Sequence, residues 1–178
     1  AAILLAAPVR EEIKEDYRND EADGINPAIL SESTTLILDF SLPVTQMLVS
    51  QMEFFKSIKT LVIIGAESIV PVDLNNILDR AIKYPLYELY IVGFEANLKK
   101  IPENIVLFPG LNILGLYGNR ISVLPANLLK LSNLKVLQLD YNPILTLLPF
   151  KEIVKNLEEL SIKKTGIPET EITNLKLM

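Results

Sequence analysis

The chain contains no cysteine and no histidine in 178 residues. Without a thiol there is no disulfide, no thiolate nucleophile and no zinc–thiolate site. Without an imidazole the commonest general base and the commonest transition-metal ligand are missing, and no Ser–His or Cys–His pair exists. Positive charge is scarce as well: 17 Lys and Arg stand against 22 Asp and Glu, for a net charge of −5. Nucleic-acid phosphates need clustered cations, so this balance argues against nucleic acid as a partner. Apolar runs such as residues 60–66 are far shorter than the roughly 20 residues that span a bilayer, so no transmembrane segment is expected. There is no Asn-x-Ser/Thr acceptor and no P-loop, and Gly110, Gly115 and Gly118 do not form a dinucleotide-binding fingerprint. Glu158 and Glu159 are adjacent, so on a strand they point to opposite sides and do not converge as a glycosidase pair does. These absences predict a protein that is not an enzyme and holds no cofactor or metal.

What is present is apolar and periodic. Apolar residues make up 49% of the chain and charged residues 22%, the balance of one folded domain rather than a disordered one. Leu111, Leu114, Leu116 and Asn119 recur 23 residues later as Leu134, Leu137, Leu139 and Asn142, and again as Leu157, Leu160, Ile162 and Thr165. A fixed period of this length means stacked supersecondary units. Earlier, looser copies place strand cores at Leu36–Leu38, Leu61–Ile63 and Leu89–Ile91, so about six units are expected.

The departures from the period are informative. Ile101-Pro102 and Leu124-Pro125 keep the 23-residue offset, whereas Leu89 and Leu114 are 25 apart, which places two extra residues in the stretch 92–97, read as a bulged loop. The connectors also differ. Residues 43–57, with Met47, Leu48, Met52 and Phe55, and residues 71–84, with Leu74, Ile77, Leu78, Ala81 and Ile82, have helical spacing. The shorter connectors 102–109 and 125–131 predict one or two helical or 3₁₀ turns.

The unit running Leu111-Asn112-Ile113-Leu114-Gly115-Leu116-Tyr117-Gly118-Asn119-Arg120-Ile121-Ser122-Val123-Leu124-Pro125 resembles the leucine-rich repeat family, in its 23-residue Leu-Pro form common among bacterial and cytoplasmic members. The resemblance is strong over residues 86–167, moderate over 33–85 and absent before Ser33. It implies an α/β solenoid with parallel strands on a concave face, short helices or 3₁₀ turns on a convex face, and a protein-binding role. Bacterial members that carry ubiquitin-ligase chemistry use a Cys that this chain lacks, and eukaryotic extracellular members usually have Cys-rich caps. The expected division is an N-terminal cap or linker over 1–32 and a repeat domain over 33–178.

The repeated leucines must bury themselves against the next unit, and Asn119 and Asn142 sit where a turn leaves backbone groups unpaired. Thr165 does part of this work, and Ser41, Ala66 and Phe94 or Ala96 mostly cannot, so the ladder is expected only in the C-terminal half. Function is then expected on strand residues pointing away from the core. Read column by column, that face presents Val62, Ile64, Tyr90, Val92, Ile113 and Tyr117, followed by Val136, Gln138, Asp140 and Tyr141, and ends in the ordinary charged surface of Glu158, Glu159, Lys163 and Lys164. An exposed apolar, tyrosine-bearing sheet face is expected to bind a protein partner. The competing expectation is a structural or self-assembling scaffold, its apolar face covered by the N-terminal segment or by another subunit.

The two ends are less regular. The opening Ala-Ala-Ile-Leu-Leu-Ala-Ala-Pro has the character of a signal-peptide end, although a cloning boundary or a capping helix suits it equally. With the bacterial resemblance, this favours the cell envelope or secretion over the cytoplasm. Residues 9–17 read as one short helix and 20–27 as a loop; Asp20, Glu21 and Asp23 lack the spacing of a calcium loop. At the other end Leu175 and Leu177 read as the start of another strand, open to homo-oligomeric pairing.

Overall fold

The computed structural model describes residues 31–43, 45–66, 72–95 and 98–177. The expectations for the signal-like opening, the helix over 9–17 and the acidic loop over 20–27 lie outside these residues, as do Ala96 and Asn97 of the insertion.

Six strands form one parallel sheet in chain order: β1 (Thr35–Asp39), β2 (Thr60–Ile64), β3 (Glu88–Val92), β4 (Ile113–Gly115), β5 (Val136–Gln138) and β6 (Glu159–Ser161). Parallel strands require a crossover, and here each crossover is short. It contains α1 (Thr45–Ser50) with a 3₁₀ turn at Met52–Phe54, then α2 (Leu74–Ala81), then 3₁₀ turns at Glu103–Leu107 and Ala126–Lys130, and finally a 3₁₀ turn at Leu148–Phe150 running into α3 (Lys151–Asn156). Each of the 3₁₀ turns over 103–107, 126–130 and 148–150 packs on its predecessor, with α2 against the first of them. Asp73 starts α2 by accepting the Asn76 amide at 3.0 Å.

One core runs the length of the array. Leu38, Leu61, Leu89, Leu114 and Leu137 are each at most 1% exposed, and the same core reaches Leu160 and Leu175. The strands stack in register, Leu61 beside Leu89, Leu114, Leu137 and Leu160. A second regularity lies just before each strand. The carbonyls of Thr34, Lys59, Tyr87, Asn112 and Lys135 each accept two successive amides of the next unit, as Asn112 does from Lys135 and Val136 at 2.8 and 3.0 Å.

The asparagine ladder has the expected extent. Asn119 accepts the Phe94 amide at 2.8 Å and donates to the carbonyls of Ile91 and Leu116 at 2.8 and 2.7 Å. Asn142 accepts the Ile121 amide at 3.0 Å and donates to Leu116 and Leu139 at 2.7 and 3.1 Å. Thr165 reaches only the Ile162 carbonyl of its own unit. In the third unit a buried Phe94 stands in the ladder position, and in the first Ser41 turns back on Asp39. The residue before each ladder position is left-handed in four units: Gly93, Gly118, Tyr141 and Lys164 have φ of 73°, 67°, 56° and 56°. Glycine adopts this turn without strain, and Tyr141 and Lys164 do so at a cost of about 1 kcal/mol each.

The insertion is narrowed further. Phe94 pairs with Asn119, and the Arg120 amide donates to the Leu98 carbonyl at 2.9 Å, so the two extra residues fall between Phe94 and Leu98. Arg120 also ties this loop down, donating from Nε to the Glu95 carbonyl at 2.7 Å.

The C-terminal end differs from its sequence reading. Leu175 belongs to α4 (Glu169–Lys176), and no seventh strand forms among the described residues. The reason is local: Pro168 opens the helix and Glu169 and Glu171 occupy its first turn, where carboxylates favour the helix dipole. Glu171 is nearly buried and holds α4 to the preceding unit by accepting the Leu147 amide at 2.6 Å and the Thr146 hydroxyl at 3.0 Å. Leu175 enters the core while Leu177 stays 81% exposed.

Candidate functional site

Each strand alternates, so one face of the sheet carries the core leucines and the other carries the residues between them. Strand register aligns Thr35, Thr60, Glu88, Ile113, Val136 and Glu159 in one column of this second face and Ile37, Val62, Tyr90, Gly115, Gln138 and Ser161 in the next. The third column is Asp39, Ile64 and Val92. It continues through Tyr117, Asp140 and Lys163, whose carbonyls accept the amides of Gly93, Gly118 and Tyr141. The columns are those read from the sequence.

Their exposure is not uniform. On β2 and β3 three residues of this face are buried, Val62 at 2% exposed, Val92 at 3% and Ile64 at 7%, while Thr35, Ile37, Thr60, Glu88 and Tyr90 are half-buried. These three form a second apolar cluster, packed by Ile37, Tyr90 and Tyr117. The expectation that Val62, Ile64 and Val92 face outward is therefore corrected. Ile37, Tyr90 and Tyr117 pack around them, and the side chains close on one another. Asp140 is corrected too. It is fully buried, and its carboxylate accepts the Ser161 hydroxyl at 2.6 Å and the Lys163 amide at 2.5 Å. A short acid beside a hydroxyl on the next strand is satisfied locally, so Asp140 ties β5 to the turn after β6, and its burial keeps it from the surface. Asp39 has the same column position and caps its own turn, accepting the Ser41 amide and hydroxyl at 2.9 and 2.6 Å.

Tyr90 packs at the edge of this cluster. Its ring lies across Gly115, where an added Cβ would stand 2.3 Å from Tyr90 Cδ1. The tyrosine thus occupies the place of the missing side chain on β4. Its hydroxyl donates to Glu88 Oε2 at 3.0 Å. Burial, and then the Glu88 charge, hold the phenol above its ordinary ionisation range. Ile113, Tyr117, Val136 and Gln138 are half-buried, and Tyr141, at the left-handed turn after β5, is 59% exposed. Ile113 sits beside Val136, and Gly115 beside Gln138.

A second set of amides escaped the sequence reading. Asn104 donates to the Asn75 carbonyl and to Asp79 at 3.0 and 2.8 Å, Asn127 to the Glu103 carbonyl at 3.1 Å, and Asn133 to the Pro109 carbonyl at 2.8 Å. These tie the connectors of successive units together. The 23-residue spacing of Asn104 and Asn127 was the available signal. Among the described residues no cluster of acids converges to hold a metal ion, and no helix is long and apolar enough to cross a membrane.

No known family profile matches the chain, and no curated protein does. Among solved structures it is similar to a leucine-rich repeat protein of Leptospira interrogans, at 27% identity and a TM-score of 0.49, over 72% of this chain and 30% of that one. It is also similar to an internalin of Listeria monocytogenes, at 17% identity and a TM-score of 0.45, over 73% of this chain and 35% of that one. The chain spans about a third of the length of these structures. Its own geometry carries the assignment: six parallel strands stacked in register, inward leucines at matching positions, and a ladder of turn asparagines behind them. The fold is an α/β solenoid of the leucine-rich repeat type.

Proposed function

We propose that this chain is a non-enzymatic protein-interaction module, with its repeat domain over residues 33–178 and a separate N-terminal segment over 1–32. Its protein partner docks on the β4 to β6 side of the sheet face, at Ile113, Tyr117, Val136, Gln138 and Tyr141, with Tyr90 at the border. The observation that carries this reading is the group of half-buried and exposed side chains, Ile113, Tyr117, Val136, Gln138 and Tyr141, that follows the buried Val62, Ile64 and Val92 along one face. This group joins aliphatic side chains, an amide and two tyrosines, the mixture of anchor and polar tip that protein interfaces favour. Val62, Ile64, Val92 and Asp140 are buried on the same face and lie outside this surface.

The test is capture of a protein partner by the immobilised chain, compared with a Val136→Asp, Gln138→Ala double variant. Loss of retention by roughly tenfold or more with an unchanged melting temperature is expected for a surface that holds binding hot spots. Equal retention by the variant would place the partner elsewhere. The scaffold reading keeps one observation of its own, the sealed apolar cluster on β1 to β3.

A further inference from the structure

The first column of the sheet face changes character twice between β3 and β6. In register it runs Glu88, Ile113, Val136 and Glu159, one residue on each of four adjacent strands. All four are half-buried. Two aliphatic side chains thus lie side by side with a carboxylate on each flank. The ion pairs among the described residues, Lys135 with Glu158 at 3.7 Å and Lys155 with Glu152 at 3.3 Å, involve neither flanking acid. Glu88 accepts the Tyr90 hydroxyl at 3.0 Å, a neutral donor that leaves the charge uncompensated. Lys163 and Lys164 stand beyond the other end of β6. Both acids act on the same part of the face: burial first, then Glu88, and last Glu159 raise the ionisation range of the Tyr90 phenol. A partner that lands on Ile113 and Val136 strips water from the two neighbouring carboxylates. Desolvating an unpaired charge is costly, so such a partner must bring a cation to each.

We propose that the partner binds through an extended segment carrying a basic, an apolar and a second basic side chain at alternate positions, the apolar one on Ile113 and Val136 and the bases on Glu88 and Glu159. This rests on the partner surface proposed above and names the chemistry that fits it. The segment runs across the strands. Strand spacing puts the two acids about 14 Å apart. In an extended chain, positions i and i+4 share a face and lie about 13 Å apart, with i+2 midway between them. The flexible stems of the bases make up the difference and pack along the aliphatic pair. A helix returns a side chain to one face at about 10 Å and again at about 16 Å, so it meets both acids less well. Arginine suits these positions better than lysine, because its planar fork can bind a carboxylate through two hydrogen bonds. An acidic segment on the same column would meet like charge at both ends.

The experiment titrates the full chain into fluorescently labelled synthetic peptides and reads anisotropy. The first peptide has arginine, valine and arginine at alternate positions, separated by threonines. The second has glutamate in place of both arginines, and the third has the same residues with the arginines adjacent. Binding of the first is expected, with the second weaker by tenfold or more and the third weaker by severalfold. The Glu88→Gln, Glu159→Gln double variant should lose affinity for the first peptide by tenfold or more at an unchanged melting temperature, since glutamine keeps the acceptor for the Tyr90 hydroxyl. No binding of the first peptide, equal binding of the second or third, or an affinity unmoved in the double variant overturns the proposal. If one of these occurs while protein capture is still lost in the Val136→Asp, Gln138→Ala variant, this inference fails and the partner surface stands. Equal capture by that variant overturns both.

Discussion

At the scale of single residues, two tyrosines show how packing decides what a side chain does. Tyr90 needs the empty place at Gly115, since a Cβ there would meet its ring at 2.3 Å. Gly115→Ala should therefore destabilise the protein by about 1–3 kcal/mol, the usual range for overpacking. On a Tyr90→Ala background the same change should be nearly neutral, and a denaturant double-mutant cycle reads the coupling. Tyr84 is buried in the main core, where its hydroxyl donates to the Met52 carbonyl and burial raises its pKa from 10 to about 12. The unfolded chain loses this proton first as pH rises. Its contribution is thus complete below about pH 10, declines between 10 and 12, and is gone above 12. Stability measured across that window should fall less steeply in Tyr84→Phe, which also loses about 1 kcal/mol at neutral pH with its hydrogen bond. The residue types were legible in the sequence, but the match between Tyr90 and Gly115 was not. They are 25 residues apart, and their contact depends on which way one ring turns.

At the scale of elements, the two ends of the ladder behave differently. Asn119 serves three buried backbone groups in two units. Asn119→Ala removes the partner of the Phe94 amide and of the Ile91 carbonyl, at about 1–3 kcal/mol for each group that finds no water, while the Leu116 carbonyl keeps Asn142. A fall in melting temperature of many degrees is expected, and an unchanged value would refute the ladder role. The strands and short connectors were readable because leucine spacing and turn chemistry are local. The C-terminal helix was misread because Leu175 and Leu177 alternate as a strand would. What distinguishes it is the pair of tertiary bonds from Glu171 to Leu147 and Thr146. Glu171→Ala should cost about 1–3 kcal/mol by orphaning the Leu147 amide. Hydrogen exchange should show α4 opening before β4 and β5 in that variant.

At the scale of the molecule, the core is continuous from Leu36 to Leu175. Each unit touches mainly its neighbours, yet no break interrupts the leucine stack or the paired carbonyls ahead of each strand. Loss of Asn119 should therefore destabilise β2 and β5 together. Amide exchange in both strands should shift by the same free energy, and a shift confined to one side would show that the array uncouples at the insertion after Phe94. The face opposite the core does not share this uniformity. Val62, Ile64 and Val92 are buried on it, whereas Ile113, Tyr117, Val136 and Gln138 are half-buried and Tyr141 is exposed.

The sequence by itself determined the architecture, the order and register of the six strands, and the reach of the asparagine ladder. Each follows from residues whose role is set by their own unit and the next: a leucine that must be buried, an asparagine that must fill a turn. Exposure was decided only in the tertiary structure. Val62 on β2 and Val136 on β5 are the same residue on the same face, yet Val62 lies between Ile37 and Tyr90 and is buried, while Val136 lies between Ile113 and Glu159 and is half-buried. Asp140 reads as a surface acid until Ser161 and the Lys163 amide, more than twenty residues on, take both its oxygens. Burial is a property of neighbours that sequence spacing does not name, and for that reason the scaffold was legible before the surface was.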